Sequence, residues 1–214
     1  MGFRRWLAVS APVGLYERYL AVRLRRSDAD LPGTVALVIT ERDLLTDGAY
    51  TTLERFFEWA TRHGAETIVV YVSVLDEEVV PTLRRELSDL RAPSEVAVRG
   101  PGDETAADAA IQISIGLGGQ SEFATAVQKL AERVDSGALD PEDIDEAAVE
   151  EHLVFPTAPD LVIKTGAERL SDFMIWQSVY SELYFTDVNW QNFRERDYLR
   201  ALRDYQDRQR RFGR

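Results

Sequence analysis

Short apolar runs alternate along this chain with longer segments in which apolar residues recur every three or four positions. The runs lie at Thr34–Ile39, Thr67–Ser73, Glu95–Val98, Ala110–Ile115, Asp160–Ile163 and Glu182–Val188. Most of them are continuous and do not alternate with polar residues, which is typical of strands covered on both faces. They predict β-strands at these positions.

The segments between the runs carry the helical period. They lie at Tyr50–His63, Glu77–Arg91, Ser121–Asp135, Ser171–Tyr180 and Arg194–Arg211. The first one ends at His63-Gly64, a pattern that favours a helix C-cap. Alternating strands and helices predict a single α/β domain, with a parallel sheet of about six strands flanked by helices. Sheets of this class bind ligands at the carboxyl ends of their strands.

Residues 1–30 differ in character from the rest, residues 31–214, which we assign to the α/β domain. Arginines stand among apolar residues, and residues 1–26 contain one acidic residue, Glu17. One hypothesis is a basic amphipathic helix that lies on an anionic membrane surface. The favoured alternative is a first helix that packs on the domain with its arginines solvated, because the apolar face is modest.

Composition excludes several classes of function. The net charge of −12 argues against nucleic-acid binding, which needs a basic surface, and the absence of cysteine excludes disulfides and thiolate chemistry. No apolar run approaches the ~20 residues needed to cross a bilayer, and no signal-peptide pattern opens the chain. These features predict a cytoplasmic protein, with peripheral membrane contact left open. Lys129 and Lys164 are the only lysines, and an acidic, lysine-poor surface indicates a halophilic source.

The strongest chemical signal follows the run at Asp160–Ile163. Lys164 and the turn Thr165-Gly166 come first, then Arg169 and Ser171 at the start of a predicted helix. Cationic and hydroxyl donors beside a helix N-terminus suit an anionic ligand such as a diphosphate. The residues alone leave an equal alternative, in which Ser171 only caps the helix and Lys164 is only a surface charge.

This segment closely resembles a known motif. The matching residues are Asp160-Leu-Val-Ile-Lys-Thr-Gly-Ala-Glu-Arg-Leu-Ser-Asp-Phe173, Trp176-Gln177 and Glu182-Leu-Tyr-Phe-Thr-Asp187. They resemble the C-terminal motif of the cis-prenyltransferases, the undecaprenyl diphosphate synthase family. The resemblance covers roughly residues 15–214 and is strong from 110 onward.

The resemblance implies that Lys164, Arg169 and Ser171 bind the diphosphate of isopentenyl diphosphate. It also implies that Glu182 helps to hold Mg²⁺. Lys164 stands where the family has an arginine. An arginine guanidinium can bind a phosphate group through two parallel hydrogen bonds, whereas the lysine ammonium acts as a point charge.

The other half of the family's site is not matched. The first strand of the family ends in Met-Asp-Gly-Asn, whose aspartate acts with Mg²⁺ on the allylic diphosphate. Here Thr40 occupies the position of that aspartate, and Glu41, Arg42 and Asp43 follow in place of the glycine turn. Glu41 and Asp43 are the candidate substitute ligands. Their charges would repel a diphosphate, however, so no residue is assigned confidently to catalysis.

The family resemblance also suggests a partner. Some cis-prenyltransferases are heteromers in which a subunit lacking the aspartate, of the Nogo-B receptor class, contributes a C-terminal Arg-x-Gly to a catalytic homologue. Arg211-Phe212-Gly213 matches that motif, although active homodimeric members carry it too. We therefore expect an accessory subunit of a polyprenyl diphosphate synthase. The alternatives are a divergent active enzyme that condenses isopentenyl diphosphate onto an allylic diphosphate, and a polyprenyl phosphate binding protein.

Overall fold

A computed structural model describes residues 14–27, 29–101, 103, 109–116, 118–153, 158–166 and 176–213, apart from the side chains of residues 177 and 210–213. Six strands form one parallel sheet in the order β3-β4-β2-β1-β5-β6. They are β1 Thr34–Thr40, β2 Thr67–Ser73, β3 Val96–Arg99, β4 Ile111–Ile115, β5 Leu161–Thr165 and β6 Glu182–Thr186. The predicted sheet is confirmed, and the strand ends agree to about two residues.

The helices are α1 Leu15–Arg25, α2 Glu41–Leu44, α3 Ala49–Arg62, α4 Val80–Ser88, α5 Gly119–Asp135, α6 Glu146–Glu150 and α7 Glu195–Gly213. Gly64 follows α3 with a φ of +97°, as the predicted C-cap requires. The predicted helix at Ser171–Tyr180 falls partly outside the described residues, and its described end, Gln177–Tyr180, is a 3₁₀ turn. The short helix α2 was not predicted.

The main core lies on one face of the sheet and centres on Phe56 of α3. Its ring contacts Trp190, Phe193 and Tyr198 edge-on, with centroid distances of 6.1, 6.3 and 5.4 Å. The last of these residues belongs to α7, so α7 closes the core over α3. Edge-to-face aromatic contacts of this kind stabilise beyond the area that they bury.

The opposite face of the sheet carries a smaller apolar cluster that includes Ala36, Val38 and Tyr71. The chain passes from β4 to β5 through α5, and a right-handed connection places this helix on the smaller face. Both faces are therefore covered, which explains why β1 is a continuous apolar run.

Helix α1 packs against α7 through Leu20 and Leu24, which are buried in the main core. Tyr16 of α1 adds a second contact with α7, because the guanidinium of Arg200 lies 5.3 Å from the centre of its ring. The boundary of the N-terminal segment at residue 30 stays a prediction. Among the described helices, none has the length and hydropathy that a membrane crossing requires.

Replacing Tyr198 with phenylalanine should stabilise the fold. Tyr198 is fully buried, its hydroxyl has no hydrogen-bond partner among the described residues, and burial raises the pKa of that hydroxyl. Tyr198→Phe keeps the ring on Phe56 and removes an unpaired polar group. We expect the free energy of unfolding in urea to rise by about 1 kcal/mol.

Tyr205→Phe is the matched control, because the hydroxyl of Tyr205 has a side-chain hydrogen bond with Gln209. Its free energy of unfolding should fall or stay unchanged. A clear loss of stability in Tyr198→Phe would show that the buried hydroxyl has a partner.

Candidate functional site

The strand order reverses between β1 and β5. The chain leaves β1 toward β2 on one side and reaches β5 on the other side only after α5. In doubly wound sheets such a reversal opens a crevice at the carboxyl ends of the two strands. Val38 pairs with Lys164 in the register, so Thr40 and Gly166 are the residues that meet at the crevice.

Thr40 begins a capped helix. Its backbone N–H and its Oγ1 hydroxyl donate to Asp43 Oδ2, at 2.8 and 2.9 Å. The N–H of Asp43 donates in turn to Thr40 Oγ1 at 3.3 Å, which completes a reciprocal capping box. The turn after β1 is therefore a short capped helix in which the backbone N–H groups of Thr40 and Asp43 are already engaged.

The two candidate substitute ligands are both engaged with the backbone. Asp43 accepts the two bonds from Thr40, and Glu41 Oε2 accepts the N–H of Leu75, 3.1 Å away in the turn after β2. The described residues contain no group of three or more His, Cys, Asp or Glu side chains that could hold a metal ion.

Lys164 is buried inside β5, with 2% of its surface exposed, and is not a surface charge. Strand alternation places it on the smaller face with Val162 and Val38. No carboxylate among the described residues pairs with its ammonium. A buried cation without a counter-charge is costly, and an anionic ligand in the crevice would compensate for that cost.

Small residues lie next to Lys164 toward the carboxyl edge. Two positions beyond Val38 and Lys164 are Thr40 and Gly166, and Ser73 pairs with Thr40 on the neighbouring strand. Gly166 adopts a φ of +79°, and no atom of the described residues lies within 4 Å of where a Cβ would be. The residues that border Lys164 on this side are therefore small.

The carboxyl edge beyond β1 and β2 is acidic. Carboxylates follow both strands within a few residues, at Glu41, Asp43, Asp47, Asp76, Glu77 and Glu78, and Arg42 is the basic residue in these two turns. Like charges at ~6 Å repel by roughly 3 kcal/mol at an effective dielectric of ~20. The two sides of the crevice therefore differ: a cation lies in β5, and anions gather beyond β1 and β2.

Glu182 lies at the opposite edge of the sheet. It opens β6 in register with Leu161, which pairs with Val35 at the start of β1. At ~3.3 Å per residue and ~4.8 Å per strand, that position is about 19 Å from Thr40. Glu182 also forms an ion pair with Arg208, 3.2 Å away. Within one chain, Glu182 does not contribute to a metal site at the crevice.

The C-terminal motif lies on the same far side. Gln206 of α7 donates to the carbonyl of Ala29, ahead of β1, and Arg208 contacts Glu182. Arg211 and Gly213 lie in the last turn of α7, about one turn further on, and their side chains are outside the described part. The motif is thus remote from the crevice of its own chain.

Arg169 and Ser171 fall in the segment 167–175, outside the described residues. Their predicted role as diphosphate ligands therefore stays a prediction. Trp176, just after this segment, stacks on Phe123 at 5.9 Å and donates from Nε1 to Glu150 Oε1 at 3.3 Å.

Sequence analysis missed a buried charge at the end of β3. Arg99 is 6% exposed, and its NH2 donates to Gln112 at 3.3 Å. Burial lowers the pKa of Arg99, while Asp103 and Glu122 act in the opposite direction. The register places Arg99, Ser114, Tyr71, Val38 and Lys164 in one row across the smaller face. The sequence signal for this buried charge was an arginine placed directly at the end of an apolar run.

Comparison with known proteins identifies the family. Residues 86–213, more than half of the chain, match the prenyltransferase family model described as undecaprenyl diphosphate synthase. The chain belongs to the undecaprenyl diphosphate synthase family. The matched region includes Lys164 and Glu182, whereas β1 and Thr40 precede it.

Three similar proteins support the assignment. The tritrans,polycis-undecaprenyl-diphosphate synthase (geranylgeranyl-diphosphate specific) of Methanocaldococcus jannaschii is 55% identical over 109 residues, 48% of this chain and 39% of the relative. The isoprenyl transferase of Bacillus subtilis is 39% identical over 167 residues, 68% of this chain and 63% of the relative. The crystal structure of lavandulyl diphosphate synthase from Lavandula x intermedia, in complex with dimethylallyl diphosphate, has a TM-score of 0.67. It is 24% identical, covers 82% of this chain and 95% of that structure, and supports the fold alone.

The aligned region spans only part of the sequence relatives, about two fifths of the archaeal synthase. Membership of the undecaprenyl diphosphate synthase family therefore fixes the fold and the class of protein. Membership alone does not fix the reaction, the substrates or the partners of this chain.

The capping box at Thr40 should be measurable in the stability of this family member. Thr40→Ala removes the hydroxyl that bonds Asp43, and we expect the free energy of unfolding to fall by about 1 kcal/mol in urea. Thr40→Ser keeps the hydroxyl and should retain most of the free energy of unfolding that Thr40→Ala loses. Thr51→Ala, on the exposed side of α3, is the control and should change little. Equal stability of all the variants would contradict the capping role.

Lys164 should be the main cationic contact for a diphosphate among the described residues. Lys164→Met removes the charge while retaining bulk, and we expect affinity for inorganic diphosphate, measured by calorimetry with Mg²⁺ present, to fall at least about tenfold. The free energy of unfolding should stay equal or rise, because the variant loses a buried charge that has no carboxylate partner among the described residues.

Lys129→Met, which removes the other lysine of the chain, is the control and should bind as the unmodified protein does. Lys164→Arg should also keep the affinity. Unchanged affinity in Lys164→Met would exclude Lys164 from the binding site.

Proposed function

We propose that this chain is an accessory subunit in polyprenyl diphosphate synthesis. In this proposal it holds the isopentenyl diphosphate side of the reaction, through Lys164, Arg169 and Ser171, and a catalytic homologue supplies the aspartate site. The observation that carries the proposal is the capped helix after β1, where Thr40 and Asp43 bond each other. The capping box engages the N–H groups of Thr40 and Asp43 and sets two carboxylates, Glu41 and Asp43, where a glycine turn would approach an allylic diphosphate.

Electrostatics supports the same division of roles. Ionising an allylic diphosphate requires positive charge at the leaving group. The turns after β1 and β2 instead carry six carboxylates, from Glu41 to Glu78, and one arginine, Arg42. Lys164, in contrast, is a buried cation on the β5 side that suits the diphosphate of the second substrate.

The position of the C-terminal motif supports a role in a second subunit. Arg211 lies about one turn beyond Arg208, which contacts Glu182 at the far edge of the sheet. An arginine there is remote from the crevice of its own chain but can reach a neighbouring one, as arginine fingers supplied in trans do. Mg²⁺ would then be held largely by ligands of the partner.

The exposed surface near β6 supports subunit contact. This strand is at the edge of the sheet, and Val179, Tyr180 and Phe185 are 69%, 90% and 51% exposed. Exposed edge strands with large apolar side chains favour association with another chain. Either a homodimer or a heteromer would cover this surface.

A second candidate is a divergent active enzyme that extends an allylic diphosphate by itself. The observation in its favour is that the similar archaeal protein is named as a geranylgeranyl-diphosphate-specific synthase. Glu41 is the side chain that would have to serve as the metal ligand, because it is bonded to a single backbone amide and Asp43 accepts two bonds.

An elongation assay distinguishes the two candidates. The purified chain is incubated with geranylgeranyl diphosphate, labelled isopentenyl diphosphate and Mg²⁺, alone and with homologues that copurify from its native host. We expect no elongation alone and clear elongation once a homologue with the aspartate turn is added. Arg211→Ala should reduce that stimulation at least about tenfold, while Arg196→Ala, an exposed arginine on the same helix, should not.

Robust elongation by the chain alone would overturn the accessory proposal. If Glu41→Gln then abolished that activity, the divergent enzyme would be supported. Tight binding of a polyprenyl phosphate without elongation in any mixture would instead support a binding protein.

A further inference from the structure

Helix α1 has two faces of different character. Leu20 and Leu24 point into the core, and helical spacing places Leu15 and Val22 on the opposite side. Leu15 is 86% exposed and Val22 is 45% exposed. Arg18 flanks this apolar strip, as do Arg25 and Arg26, and all of them are exposed.

A groove of about 390 Å³ runs between α1 and α7. Arg23 and Arg26 line it from α1, and Arg203 lines it from α7. Tyr19 accepts a hydrogen bond from Arg23 NH1 at 3.0 Å, which holds that guanidinium at the mouth of the groove. Asp207 also lines the groove, 3.7 Å from Arg203, so the arginines outnumber the acid.

This surface opposes the charge of the whole molecule. The chain has a net charge of −12, yet between residues 14 and 27 four arginines face one acid, Glu17. The basic residues are therefore concentrated on one side of an acidic protein. Such a patch attracts an anionic surface, and it orients the acidic remainder away from it.

The apolar strip distinguishes a lipid bilayer from other anionic surfaces. Exposed Leu15 and Val22 lie between arginines whose aliphatic stems can follow them into the headgroup layer while the guanidinium groups stay with the phosphates. Because Leu20 and Leu24 anchor α1 in the core, the helix is held as a rigid platform.

We infer that α1 docks lengthwise on an anionic lipid bilayer, with Leu15 and Val22 in the headgroup layer and one lipid phosphate in the groove of Arg23, Arg26 and Arg203. This inference does not depend on the proposed function. It identifies the occupant of the surface by charge complementarity and by the apolar strip.

Vesicle cosedimentation of the full chain tests the inference. Vesicles of phosphatidylcholine alone are compared with vesicles that contain three parts in ten of phosphatidylglycerol, at 0.1 M and 1 M KCl. We expect binding to the anionic vesicles only, and weaker binding at 1 M salt, where the screening length is about 3 Å and the apolar strip carries most of the remaining affinity. Far-UV circular dichroism at each salt verifies that the chain is folded.

Two sets of variants separate the charge from the apolar strip. Arg23→Gln with Arg26→Gln should lower the partition coefficient about thirtyfold, and Leu15→Ser with Val22→Ser should lower it at least about fivefold. Arg55→Gln with Arg85→Gln removes the same charge from exposed positions on α3 and α4 and should leave binding unchanged.

Three outcomes would overturn the inference. The first is equal binding to both kinds of vesicle with no effect of the arginine variants. The second is saturable binding of inorganic phosphate in the groove without any vesicle binding. The third is loss of self-association, measured by sedimentation velocity, in Leu15→Ser with Val22→Ser and no vesicle binding, since a second copy of the chain would then be the occupant.

Discussion

The reciprocal bonds between Thr40 and Asp43 determine what the carboxyl edge of this sheet can do. They make the exit from the central strand a short helix in which Thr40 and Asp43 bond each other through side chains and backbone N–H groups. Glu41 then bridges to the next turn through the N–H of Leu75. The result is a rigid acidic rim at a position where a parallel sheet of this class ordinarily receives its ligand.

The opposite side of the same crevice is built for the reverse charge. Lys164 is enclosed within β5, and the small residues Thr40 and Gly166 lie two positions nearer the carboxyl edge. Among the described residues no carboxylate pairs with its ammonium, and a buried cation costs stability unless a counter-charge lies nearby.

The sheet could be predicted from the sequence because its strands are covered on both faces and form continuous apolar runs. The helix after Thr40 is too short, at four residues, to show a period, and its signal in the sequence was the Thr40-x-x-Asp43 spacing of a capping box. The burial of Lys164 was missed because the apolar run seemed to end before it; in the structure β5 continues through Thr165. The separation of Glu182 from Thr40 follows from the strand register, which sequence neighbours do not reveal.

Helix α7 has a consequence for biosynthesis. It supplies Tyr198, Leu199 and Leu202 to the core, and it follows every strand in the chain. Until these residues emerge from the ribosome, Phe56 and its aromatic neighbours lack their cover. The main core around Phe56 is therefore completed only when α7 is made, and before that the partly synthesised chain exposes apolar surface that α7 covers in the folded domain.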